Sequence, residues 1–405
     1  MTNIIFSCEI GAREFLPRLW LAGELQKIGY NVIIGHKFTI YKLLKRQHGF
    51  IRGIFFYKDA TTDSHKYMGQ AKKLGLITVG LDEEFLNWLK PYDDNHYVSR
   101  SSADCVDYFF ASNEATAQAA ENAGLRTKKV GNLRLGACER IRLLKKHQPT
   151  KDVLINTAGG YLFNHYPLIK HLEIWSKLSQ ASWTVCYEKL KTFIDDEIKI
   201  VDAIKQLAES IKVGKSGLTI RTHPAESVLF WRQMFEDSFV SVEQGIDSSI
   251  ISALNHKLVH GFDCTTLLES YVMGVPTVNH PVASGRTENT LARVFLDGAV
   301  DGYREGDARS KELEKFLYLG GIFSSWKNEI ASLCPPSQQD PSIVPESSDR
   351  VEDMPADVLL RKGCLTRKSL DFLNSIDDLR GAKISFLSND FFYFPSARQY
   401  SFGRE

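Results

Sequence analysis

Short β-rich runs alternate with helical runs along most of this chain, and that alternation narrows the fold more than any other feature. Strands are expected at Asn3–Cys8, Asn31–Gly35, Gly53–Tyr57, Leu76–Gly80 and Tyr108–Ala111. Between the first two, Phe15, Leu16, Leu19, Trp20 and Leu25 recur at helical spacing until Gly29 stops the helix. Another helical run, Glu114–Asn122, is ended by Gly124. Parallel strands need a crossover connection, and helices supply it, so this order argues for parallel sheets covered on both faces. The series pauses at the polar, Pro-bearing stretch Lys145–Lys151 and then restarts. Its second set of strands is Val153–Asn156, Leu218–Arg221, Phe239–Val242, Lys257–His260 and Thr277–Asn279, with a helix over Thr265–Met273. The expected fold is α/β with two Rossmann-like domains, residues 1–148 and 149–333. Beyond Leu333, the run from Cys334 to Pro355 is rich in Pro, Ser and acidic residues and reads as a linker. Residues 334–405 are taken as linker and tail without an assigned role, including an amphipathic stretch at Ser369–Ile376 and the aromatic cluster Phe391–Phe394.

Composition removes several classes of function. A chain of 405 residues suits two or three domains of ~150 residues each. Fifty basic against forty-nine acidic side chains leave a net charge of +1, too little for a dedicated nucleic-acid binder. No run of ~18 apolar residues would span a bilayer, and Met1-Thr2-Asn3 leads straight into a strand rather than a signal peptide. The seven cysteines are scattered, with no Cys-x-x-Cys pair, which points to reduced thiols in a cytoplasmic protein. No metal site or cofactor is expected: there is no G-x-G-x-x-G, no Asp-x-Asp and no His-Glu-x-x-His. Val213-Gly214-Lys215-Ser216 imitates the tail of a P-loop, but Glu209 stands where its leading glycine belongs. The basic runs Lys42–Arg46 and Arg140–Lys146 read as solvated helix faces, with peripheral contact to anionic headgroups or a lipid-linked phosphate as the alternative.

Ligands of open parallel sheets sit beyond the carboxyl ends of the strands, so the residues following each strand are the candidates. After the first strand come Glu9, the turn residue Gly11, Arg13 and Glu14. After the fourth come Asp82, Glu83 and Glu84, whose crowding is expected to raise at least one pKa toward the range of a general acid or base. A plain acidic first turn of a helix is the competing reading for both groups. In the second domain His223 ends a strand, with Pro224 expected as the first residue of the next helix. Arg221 lies two residues earlier on the same side, and the two basic groups suit a phosphate. Gly261 allows close approach, and Cys264, Thr265 and Thr266 begin a helix whose free N–H groups and hydroxyls suit an anion. Glu269 follows one turn on, where it would meet ribose hydroxyls; simple capping by Asp263 or Thr265 is the alternative. Asn156 and Thr157, then Ala158-Gly159-Gly160, leave room for a ligand or make a tight turn.

Together these motifs resemble a GT-B glycosyltransferase family, the bacterial surface-carbohydrate biosynthesis proteins, related to the Kdo (3-deoxy-manno-octulosonic acid) transferases of lipopolysaccharide and capsule. The resemblance runs from about Ile4 to Pro281 and rests on several short motifs. They are Glu9-Ile10 with Arg13-Glu14, the Asp82-Glu83-Glu84 turn, Gly131-Asn132 with Arg134, Ile155-Asn156-Thr157, Arg221 with His223-Pro224, and Thr265-Thr266 with Glu269 and Gly274. The His-Pro pair is also similar to that of CMP-sialic acid transferases, from which Phe262-Asp263-Cys264 departs. The resemblance implies two domains facing a cleft and metal-independent transfer of Kdo from CMP-Kdo to a saccharide or lipid-linked saccharide acceptor of lipopolysaccharide O-antigen or capsule. It implies a cytoplasmic enzyme, with peripheral association at the inner membrane as an option. His223, Thr265 and Thr266 would hold the donor phosphate and Glu269 the ribose. Arg221, Pro224, Gly261, Cys264, Asn156 and Thr157 would complete the donor site. Glu9, Asp82 and Glu83 would serve catalysis from the acceptor side, beside Arg13 and Glu14. The alternatives are another donor (a different CMP-ulosonic acid, a UDP-sugar for an epimerase or transferase, or a CDP-polyol) and a non-catalytic scaffold in polysaccharide assembly.

Overall fold

The computed structural model describes residues 2–83, 86, 98, 100–144, 149–162, 164, 167–179, 182–236, 239–245, 248–281, 290–337, 385–388 and 391–394. The chain divides into two compact units, Met1–Arg140 with Glu305–Glu405, and Ile141–Arg304. Each is a Rossmann-like α/β unit, the fold class that the strand–helix alternation implies.

The first unit contains β1 (Asn3–Cys8), β2 (Asn31–His36), β3 (Gly53–Tyr57), β4 (Ile77–Leu81), β5 (Tyr108–Ala111) and β6 (Thr127–Lys129), all parallel. β1, β2 and β3 are buried along their whole length, which is why Ile4–Phe6, Val32–Ile34 and Ile54–Phe56 read as apolar runs. β6 escapes the sequence reading because Thr127-Lys128-Lys129 has no apolar run; it is a short polar edge strand. The order β2-β1-β3-β4-β5-β6 reverses direction between β1 and β3, so the tips of those strands flank the topological switch point.

The second unit contains β7 (Lys151–Asn156), β8 (Leu218–Arg221), β9 (Val240–Glu243), β10 (His256–Gly261), β11 (Thr277–Asn279) and an antiparallel β12 (Gly298–Val300). Its order, β9-β8-β7-β10-β11-β12, places the switch point between β7 and β10. Val153, Ile155, Leu218 and Ile220 form one face and pack with Ile200, Val201, Ile204 and Ala208 of the helix Trp183–Val213.

The sequence places residues 305–333 in the second domain, but the structure returns them to the first unit. The physical reason is aromatic. Trp326, in the helix Ile322–Leu333, packs on Phe6, Phe56 and Phe110 with ring centroids 6.4, 5.5 and 5.0 Å away. Its Nε1 donates to the Gly131 carbonyl at 2.9 Å. Glu139 accepts from the N–H groups of Gly320, Gly321 and Ile322, a carboxylate placed at a helix N-terminus where the dipole favours it. The expected linker also begins fixed: the Cys334 carbonyl accepts from the Tyr30 hydroxyl at 3.0 Å, and the Pro335 carbonyl accepts from Thr2. β14 (Phe391–Phe394) pairs antiparallel with β2, and β13 (Ser385–Ser388) with β14, so the tail adds to the first sheet. Ser369–Ile376 lies outside the described residues. Among the described residues no helix is long and apolar enough to cross a membrane.

Candidate functional site

At the carboxyl edge of the second sheet, β8 ends at Arg221 and the chain turns through Thr222, His223 and Pro224. His223 is exposed, and its Nδ1 accepts from the Ala225 N–H at 3.2 Å. That bond assigns the proton of the neutral ring to Nε2. Pro224 does not begin a helix. The N–H of Glu226 closes a turn on the His223 carbonyl at 2.9 Å, and the helix starts only at Val228. Proline's fixed φ suits the second position of such a turn as well as it suits a helix start.

The turn is held from beneath by a residue the sequence reading passed over. Oε2 of Glu226 accepts from Thr157 Oγ1 at 2.5 Å, from Trp231 Nε1 at 3.0 Å and from the His223 N–H at 3.2 Å. The same His223 N–H reaches Thr157 Oγ1 at 2.7 Å. Burial pushes the Glu226 carboxyl up to about 8, against the lowering effect of these donors and with Glu197 adding to the rise. The His-Pro-x-Glu spacing was the available signal, a carboxylate three residues after the histidine. Gly245 closes the turn from the other side. A Cβ there would collide with the Thr222 carbonyl and lie 3.1 Å from Pro224 N. Gly245→Ala is therefore expected to displace the His223 turn and destabilise the protein by about 1–3 kcal/mol, measured by urea denaturation.

The loop after β7 is occupied by the protein itself. Glu197 accepts from the N–H groups of Gly160, Tyr161 and Leu162 at 2.7, 2.9 and 2.6 Å. Gly159 is bare because Glu226 Oε1 stands where its Cβ would be. The small residues here serve internal carboxylates rather than an open cradle, and Thr157 is spent on Glu226. Asn156 differs: it is 2% exposed, and neither its Oδ1 nor its Nδ2 has a hydrogen-bond partner. It registers with Arg221, which is buried, with Nη2 3.5 Å from the Gly245 carbonyl.

After β10, Asp263 adopts φ 48°, an unusual region for a side chain larger than glycine. Asn279 holds it there: the Asp263 N–H donates to Asn279 Oδ1 at 2.8 Å, and Asn279 Nδ2 donates to Asp263 Oδ1 at 2.7 Å. Thr265–Met273 starts behind Cys264, whose side chain makes no capping bond, and Cys264, Thr265 and Thr266 are half-buried. Glu269 corrects an expectation. It is fully buried and accepts from Ser249 Oγ at 2.7 Å, so it is not exposed at the surface as expected. The rings of His260 and His280 stack, with Nδ1 and Nε2 2.8 Å apart. Burial, then the neighbouring His280, pushes His260 down to about 4, and burial lowers His280 too.

In the first unit the predicted acidic residues are largely sequestered. Glu14 accepts from the N–H groups of Glu9 and Ile10 at 2.9 and 3.1 Å, from Arg13 at 3.1 Å and from Arg18 at 2.6 Å. Burial would raise its pKa, but Arg18 and Arg13 outweigh that and hold it at about 2. Arg18, 1% exposed, also donates to Glu83 Oε1 at 2.6 Å. The Glu83 pKa is raised, and burial is the main cause; Arg18 opposes the rise and Glu14 adds to it. So the expected upward shift arises chiefly from desolvation, with Glu14 adding a nearby like charge. Asp82 accepts from Ser112 Oγ at 3.1 Å. Glu9 is bridged by Lys37 at 2.7 Å and by Lys58. Glu84 lies outside the described residues. The sequence reading missed Arg18, Lys37 and Lys58. Of these, Arg18 was signalled, as a cation four residues after Glu14.

No protein-family model and no curated protein matches the chain. Among solved structures it is similar to the UDP-GlcNAc 2-epimerase of Methanocaldococcus jannaschii in complex with UDP-GlcNAc and UDP, at 12% identity over 82% of this chain and 99% of that one, TM-score 0.43. It is similar to S. aureus MnaA with UDP, at 13% identity over 84% and 99%, TM-score 0.46. It is similar to the wall teichoic acid polymerase TagF, at 10% identity over 82% and 83%, TM-score 0.35.

Proposed function

We propose that the chain is a glycosyltransferase of surface-polymer biosynthesis that takes its sugar from a nucleotide donor, and that residues 141–304 bind the donor. The observation that carries this is the exposed His223 imidazole, fixed on a braced turn at the carboxyl edge of the second sheet, one strand from the switch point. Nε2–H of that ring is a ready donor to a phosphoryl oxygen. As the sugar departs, charge grows on that oxygen, and a donor already in place stabilises it without reorganisation. The uncapped start of the helix Thr265–Met273 stands on β10, on the far side of β7 from β8. Across two strand spacings that is roughly 10 Å. The dipole of that helix start adds positive potential to the same edge.

In the first unit we assign the deprotonation of an acceptor hydroxyl to Asp82 or Glu83: Asp82 accepts from Ser112, and Glu83, held by Arg18, has its pKa raised by burial. The donor we assign is CMP-Kdo, with Kdo delivered to a lipopolysaccharide O-antigen or capsule saccharide. Its support is the likeness of His223-Pro224 to the histidine-proline pair of CMP-sugar transferases.

Calorimetric titration with CMP, CDP and UDP tests the donor site. His223→Ala is expected to weaken the bound nucleotide at least tenfold, and wild-type affinity in that variant overturns the assignment. Release of CMP from CMP-Kdo is the expected turnover. Binding of CDP or UDP in place of CMP moves the donor to a polyol or UDP-sugar class. No thermal shift with any nucleotide leaves a scaffold.

A further inference from the structure

Among the described residues, Asn156 is the side chain whose buried amide nitrogen and oxygen both lack a hydrogen-bond partner. Proteins satisfy nearly all such groups, so an unsatisfied pair at a ligand-binding edge calls for an external partner. Asn156 is the last residue of β7, the strand that flanks the switch point. Register puts Arg221 beside it on β8 and, one residue beyond the pair Ile155 and His260, Gly261 beside it on β10. Residues level with one another in parallel strands point to the same face. That face is identified by Gly261: a Cβ there would lie 2.8 Å from Cys264 Sγ and 3.0 Å from Leu267 Cγ. The row Arg221–Asn156–Gly261 therefore faces the first turn of the helix Thr265–Met273, nine residues long and without a side-chain cap.

We propose that Asn156 and Arg221, in the field of that helix's N-terminus, form a second oxyanion subsite, separate from the phosphate site of His223. The proposal rests on donor binding by residues 141–304 as set out above. Asn156 Nδ2 donates to the oxyanion, and Oδ1 accepts from a neighbouring sugar hydroxyl. Arg221 and the helix dipole supply the positive potential. The group is a second oxyanion on the donor, either the outer phosphate of a nucleoside diphosphate or the carboxylate of a CMP-activated sugar acid.

The test compares the full chain with Asn156→Leu, which keeps the branched shape and removes both polar atoms. Each is titrated with CMP, UMP, CDP, UDP and CMP-Kdo. The variant is expected to melt at or above the wild-type temperature, because an unsatisfied amide has been replaced by an apolar group of similar shape. It is expected to bind a two-oxyanion ligand at least tenfold more weakly and CMP or UMP within threefold of wild type. Selective loss with CDP or UDP identifies the outer phosphate; selective loss with CMP-Kdo identifies the carboxylate. Unchanged affinity for every ligand the wild type binds, or equal loss for ligands with one and two oxyanions, overturns the subsite and leaves the donor site standing. A wild-type chain that binds none of the five overturns both. If Asn156→Leu shows no cooperative melt, Asn156→Asp is read the same way, its added charge being expected to deepen the selective loss.

Discussion

Glu226→Gln is expected to stabilise the protein strongly above pH 8 and to change little below pH 4.5. The carboxyl titrates at 4.5 in an unfolded chain and at about 8 in the folded one, where burial opposes its charge. Below pH 4.5 both states are protonated, and the group contributes nothing against folding. As pH rises from 4.5 to 8 only the unfolded chain gives up the proton, so stability falls through that window and then levels off. The full loss is on the order of 5 kcal/mol. Glutamine imitates the protonated acid: its oxygen can still accept from Thr157, Trp231 and the His223 N–H, and its NH2 takes the place beside Gly159. Urea denaturation at pH 4 and pH 9 checks this. Wild-type stability that stays flat between those values, or a variant that tracks the wild type at pH 9, defeats it.

Arg18→Met is expected to destabilise the first unit by about 3–5 kcal/mol at pH 7. Its guanidinium is buried and donates to Glu14, Glu83, the Ser7 carbonyl and Cys8 Sγ. Removing it leaves two buried carboxylates with their main counter-charge gone, and the cost of those charges exceeds what the pair itself contributes to stability. Combining Arg18→Met with Glu14→Gln and Glu83→Gln is expected to recover most of the loss, since no buried charge then lacks its partner. Chemical denaturation of the single and triple variants measures both. Equal stability of Arg18→Met and wild type would show that the network contributes little.

Element type was legible wherever a segment declared itself locally. β1, β3, β5, β8 and β11 lie at the residues expected of them, because strands covered on both faces are rich in apolar and β-branched side chains. The helix Thr265–Met273 ends at Gly274, whose φ of 83° needs a residue without a Cβ. The position of His223 at a strand's carboxyl end followed from the same local pattern. Its bracing did not, since Thr157, Glu226 and Trp231 come together only when β7 and β8 pair.

The sequence by itself determined two parallel α/β sheets and which loops stand at their carboxyl edges, since strand and helix periodicities are properties of consecutive residues. Tertiary structure alone decided that the helix carrying Trp326 covers the first sheet and that β14 pairs with β2. It also decided that Arg18 claims Glu14 and Glu83, and that Asn156 is buried without a partner. Each of these outcomes is a choice among distant partners. An amphipathic face records that it must be covered, and a carboxylate that it needs a donor, but neither records which surface or which donor arrives. That is fixed only when the chain closes and burial sets what each unpaired group costs.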